Sequence, residues 1–119
     1  MVTKTTKVEE KKATEPFPAK ASGTDANGLR WEEVPIFGTV YRVREITVQE
    51  SDDAYDVSLN DDKTFNARLN QRMELVAAIE APSTSVDDIA NWGTLKLRAL
   101  IYVFDRINNL PPADTEGNA

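Results

Sequence analysis

The side chains in this sequence best placed to do chemistry are carboxylates, which gather at Asp52-Asp53-Asp56 and Asp61-Asp62. A calcium loop of the EF-hand kind needs D-x-[DN]-x-[DN]-G with a glutamate at its twelfth position. Asp52-Asp53-Ala54-Tyr55-Asp56 has neither the glycine nor that ligand order, so the cluster reads as a solvated helix face. Paired carboxylates can also cleave glycosidic bonds, but nothing in the sequence points to a sugar cleft. A Ser or Thr nucleophile needs a base. With no histidine in the chain, the candidates are Lys63 and Lys96, and neither sits in a recognisable motif. Neither G-x-x-x-x-G-K-[ST] nor G-x-G-x-x-G occurs. Cysteine is absent too, which removes disulfides, iron–sulfur clusters, thiol nucleophiles and, together with the missing histidine, the usual structural zinc sites. The reading is of a protein that is not an enzyme, uses no cofactor or metal, and works by binding.

Four arginines could form a small basic patch: Arg42 and Arg44 on one strand face, Arg68 and Arg72 one helical turn apart. Such a patch would contact an acidic partner or RNA. Against this, each arginine can pair with Glu45, Glu74 or Glu80, or lie along the edge of the core. Arg72 stands out because it falls inside an apolar arc, where an unpaired charge is costly.

Length and charge narrow the field further. A chain of 119 residues with 20 acidic and 14 basic groups, net −6, is of single-domain size. Its acidity argues against general nucleic-acid affinity, which needs clustered Lys and Arg. No apolar run approaches the roughly 20 residues that span a bilayer, so no membrane partner is expected. MVTKTTKVEEKK has lysines with no apolar stretch behind them, unlike a secretory signal.

Residues 1–28 carry few large apolar side chains, five lysines against four acids, and Pro16, Pro18, Gly23 and Gly28, so they read as a disordered arm. Residues 111–119, opening with Pro111-Pro112, read the same way. The remaining segment, 29–110, is expected to be one α+β domain, mainly α, with an N-terminal β-hairpin packed on a small bundle of three to four helices. From residue 29 onward the charge is −7.

The hairpin lies in Trp31 to Ile46, with Gly38-Thr39 suited to a type II′ turn and Tyr41 and Val43 facing the core while Arg42 and Arg44 face out. Pro35 cannot donate a ladder bond, which puts the first strand at an edge. Thr47 and Glu50 have the capping-box spacing, opening a helix to about Leu59. From Asp62 to Glu80, Phe65, Leu69, Met73, Val76 and Ile79 fall within an arc of about 120°, the pattern of a helix with one buried face. Ser83 to Asp88 offers N-caps for a short helix through Trp92, stopped by Gly93.

Thr94 to Leu110 is the last helix and is unusually apolar: Leu97, Ala99, Leu100, Val103, Phe104, Ile107 and Leu110 span roughly 160° of its circumference. Leu95, Ile101 and Tyr102 spill past that arc, and with Trp92 they exceed what one buried stripe requires. Core packing in a small bundle accounts for them, or else they form a face for another apolar helix or for a second copy of the chain.

The order of elements, with Val43-Arg-Glu-Ile-Thr-Val-Gln-Glu50, the helix containing Asn66-Ala-Arg-Leu69 and the closing Ile107-Asn-Asn-Leu-Pro-Pro112, resembles the tail assembly chaperones of long-tailed bacteriophages. The resemblance covers about Val34 to Pro112; the N-terminal arm is not part of the pattern. It implies a non-enzymatic protein of the host cell cytoplasm that coats the aggregation-prone tape measure protein before the tail tube forms. The tail tube protein and further copies of the chain are secondary partners on this view. Trp92, Leu95, Ile101 and Tyr102 would then contact the partner, helped by the Phe65/Leu69 face, with Arg68 and Arg72 as polar contacts. The alternative is a virion structural protein, of the tail or head–tail connector, whose N-terminal arm orders on a neighbouring subunit.

Overall fold

The fold grows from a strand pair whose alternation is plain in the sequence. In the computed structural model, which describes residues 15–109, β2 (Arg30–Ile36) and β3 (Thr39–Arg44) pair antiparallel. Val34, Ile36, Tyr41 and Val43 are buried on one side, as period-two patterning requires. Ile36 pairs with Thr39, so the turn is Phe37-Gly38, not Gly38-Thr39. Both turn residues have left-handed backbones, φ 48° and 92°, which makes it type I′ and not the expected II′. This register sets Glu33 opposite Arg42, with which it pairs at 3.2 Å. It also leaves the Phe37 ring free to meet Phe17.

Two further strands complete an antiparallel sheet in the order β1-β2-β3-β4. β1 (Ala21–Thr24) lies within the stretch expected to be a disordered arm, and that expectation is corrected over this part. Its order comes from backbone pairing and a tight turn, not from apolar burial. The Asp25 carboxylate accepts from the amides of Asn27 (2.8 Å) and Leu29 (3.0 Å), and Gly28 takes φ 84°. Residues 1–14 of the arm and 110–119, including the tail and Leu110, lie outside the described residues. β2 is therefore not an edge strand. β1 reaches only as far as Glu33, so Pro35 sits beyond its register and owes it no hydrogen bond.

Four helices follow among the described residues. α1 (Val48–Val57) begins with the expected capping box, Glu50 N–H to Thr47 Oγ1 at 3.0 Å and Thr47 N–H to Glu50 Oε1 at 2.9 Å. It stops at Val57, where buried Ser58 donates its hydroxyl to the Ala54 carbonyl. α2 (Ala67–Ala78) starts five residues later than the Asp62 expected. The Asp62 carboxylate instead accepts from the amide and hydroxyl of Thr64, and Asn66 supplies the cap to Leu69 N–H at 3.1 Å. Phe65 thus lies outside the helix. After Ala78 the chain extends as β4 (Ile79–Ala81), pairing with β3 where more helix was expected. α3 (Val86–Ala90) is capped by Ser85 and Asp88, and Gly93 serves as the N-cap of α4 (Thr94–Asn108).

The helices cover one face of the sheet. Val34, Ile36, Tyr41 and Val43 meet Leu75, Ile89, Leu100 and Val103 in one buried cluster. The domain is α+β, but a four-stranded sheet replaces the lone hairpin, and helix does not dominate as expected. On the opposite sheet face alternating charges form a ladder, Glu33–Arg42–Glu80–Arg44–Glu50, with N···O distances between 2.7 and 3.4 Å. Trp31 lies on that face too, with the Arg42 guanidinium 3.8 Å from its ring centroid and Gly23 close beneath. No helix among the described residues is long and apolar enough to cross a membrane.

Candidate functional site

The last helix carries more apolar side chains than its core-facing stripe uses. Ala99, Leu100, Val103 and Ile107 fill the interior. Leu95 remains 67% exposed and Tyr102 41% exposed. Seven residues apart, they lie on the same side of α4. The Phe17 ring packs on Tyr102 at 6.3 Å between centroids and on Phe37 at 6.1 Å, and Phe37 is itself 64% exposed. Leu95, Tyr102, Phe17 and Phe37 thus form an apolar strip from the start of α4 to the β2–β3 turn. Lys96 and Arg98 flank its first half.

The other expected contact residues fall elsewhere. Ile101 is half-buried against the core cluster, so it packs inward more than it spills outward. Trp92 also packs on the core, edge-on to Tyr41 at 6.2 Å, with the Lys96 ammonium 4.8 Å from its ring. Phe65 is half-exposed but stacks on Tyr55 at 5.1 Å, away from α4's strip in sequence and contact. Arg68 is exposed and Arg72 half-buried on α2, and among the described residues neither forms an ion pair. The four-arginine patch therefore does not assemble as a free surface, because carboxylates hold Arg42 and Arg44. The Arg44 guanidinium, hydrogen-bonded to Glu50 through two nitrogens (2.7 and 2.9 Å), holds that carboxyl down at about 2.

Arg106 is the organising residue that the sequence reading missed. It stands one turn beyond Tyr102 with its guanidinium 5.5 Å from that ring. Through Nε and Nη2 it donates to Glu32 Oε1 at 3.1 and 2.7 Å. It also donates to the carbonyls of Pro16 (3.0 Å) and Phe17 (2.7 Å) and pairs with Glu15 at 3.4 Å. One side chain thereby clamps the segment before β1 onto α4 and seats Phe17. The available signal was its spacing, four residues from Tyr102 on a helix face otherwise read as apolar. Arg30 completes the arrangement by donating to the Arg106 and Ile107 carbonyls at the helix end, 3.1 and 2.8 Å.

The strip holds no acid–base pair or nucleophile, and among the described residues no three Asp, Glu, His or Cys side chains group as a metal site. What it can do is bury against another apolar surface. Compared with protein-family models, with curated proteins and with solved structures, the chain finds no match.

Proposed function

We propose that this chain is a phage tail assembly chaperone, which binds and solubilises the tape measure protein in the host cytoplasm through the outer face of α4. The observation that carries this reading is the exposure of Leu95 and Tyr102 on one side of a helix whose opposite side is fully used by the core. A holdase for apolar helices needs uncovered apolar surface on a rigid element and enough net charge to keep a crowded coat apart. The chain combines that strip with a net charge of −6. The partner's helix would lie along Leu95 and Tyr102 with Phe17 and Phe37 closing one end, a helix-on-helix mode of recognition.

The test is a pull-down from infected cells with the captured partner identified by mass spectrometry, together with the protein content of purified particles. Recovery of the tape measure protein, with this chain absent from finished particles, supports the reading. Many copies per particle without that partner would overturn it in favour of a structural role.

A further inference from the structure

A second surface, independent of the α4 strip, lies along the seam between α1 and α2. Ala54 and Val57 from α1 and Met73, Val76 and Ala77 from α2 line a shallow, largely apolar groove of about 220 Å³. Val57 is 54% exposed on its wall. The groove opens beside Glu50 and Asp53, whose roles differ. Glu50 is held by Arg44. Asp53 accepts only from the Gln49 side chain at 2.8 Å, with no cation on it among the described residues. Both charged side chains on its lining are acidic, and positions 48–62 carry six carboxylates and no Lys or Arg, whereas Arg68 and Arg72 stand on α2.

Both walls of the groove are helices, whose interior amides and carbonyls are already paired, so an extended peptide would find no backbone partners there. The occupant must bring its own satisfied backbone. We infer that the α1–α2 groove docks an amphipathic helix of a partner protein whose apolar stripe is bordered by lysine or arginine. Its apolar side chains cover Val57 and Met73 while its cations lie over Asp53 and the neighbouring carboxylates of α1. Charge sets the specificity, because an acidic helix with the same stripe would place like charges together.

The chain has two methionines, Met1 and Met73, so methyl-13C-methionine labelling of the full chain gives one probe in the groove and a second at Met1, outside the described residues. The ligands are two synthetic 14-residue helices with the same leucine stripe, one bordered by lysine and one by glutamate. The lysine peptide is expected to shift the Met73 methyl saturably and to leave Met1 in place. The glutamate peptide should bind at least tenfold more weakly. Asp53→Lys should weaken the lysine peptide at least threefold, and Val57→Asp should abolish the shift. Asp53 is on an exposed helix position, so its variant keeps the test standing should Val57→Asp disturb the helix pair. Leu95→Asp should change nothing, which separates this surface from the α4 strip. An unmoved Met73, equal binding of the two peptides, or loss of binding in Leu95→Asp would each overturn the inference.

Discussion

Replacing Arg106 with methionine keeps the length and apolar stem of the side chain while removing every bond its guanidinium makes. Those bonds reach Glu32 twice, the Pro16 and Phe17 carbonyls, and Glu15. The Arg106 and Glu32 side chains are 18% and 19% exposed, so the lost pair is neither fully solvated nor fully dry. A hydrogen bond to a charged group contributes about 1.5–3 kcal/mol, and breaking a fully buried pair costs about 3–5 kcal/mol. Partial exposure puts the variant between an exposed pair and a buried one, at about 2–3 kcal/mol of lost stability by urea unfolding. Glu32→Gln with Arg106→Met should recover part of that loss, since the half-buried Glu32 carboxylate is then no longer left unpaired. Hydrogen exchange localises the effect: the Lys20 amide, bonded to the Glu33 carbonyl at 2.8 Å, should lose protection before the β2–β3 amides do. A loss under about 0.5 kcal/mol, the scale of an ordinary surface substitution, with Lys20 protection unchanged, would refute the clamp.

Glu50 has its carboxyl held at about 2 in the folded state, chiefly by Arg44. A carboxyl lowered on folding stabilises the protein above its unfolded pKa, near 4.5, and that contribution fades as pH falls from there toward 2. Allowing for its partial exposure, Glu50→Gln should flatten the acid limb of the stability curve by about 1–2 kcal/mol over that window and leave the slope above pH 6 alone. An unchanged acid limb would contradict the assignment. At the β2–β3 turn, Gly38 adopts φ 92°, so Gly38→Ala should cost about 1 kcal/mol in thermal or urea unfolding, and no loss would argue against the type I′ geometry.

How much of this was readable beforehand depended on where order came from. The Thr47–Glu50 and Ser85 caps, the inward Tyr41 and Val43, and the core stripe of α4 rest on local chemistry or periodicity, which a sequence displays. β1 does not: Ala21-Ser-Gly-Thr24 has no apolar alternation, and it is held by its backbone against β2 and by the Asp25 turn. The start of α2 was misplaced because Asp62 takes the Thr64 amide and hydroxyl in a local turn that competes with helix. β4 was hidden because Ile79 suits a buried helix face and a buried strand equally. For the candidate site, Leu95 and Tyr102 followed from helical spacing. Trp92 and Ile101 pack partly on the core, a placement that spacing could not settle because an apolar arc does not tell the outer layer of a core from a free surface. Arg106 was missed because its partners, Glu15, Pro16, Phe17 and Glu32, come from a distant part of the chain.

The function proposed here stands on the outward side of α4. Co-expression of the tape measure protein with either the wild-type chain or the Leu95→Asp, Tyr102→Asp double variant, followed by the fraction of partner left in solution, tests it. Both residues lie outside the buried cluster, so circular dichroism should match wild type and the melting transition should fall only by what the lost Phe17–Tyr102 contact contributes, while soluble partner falls at least tenfold. Soluble partner at the wild-type level with the doubly charged face would contradict the account.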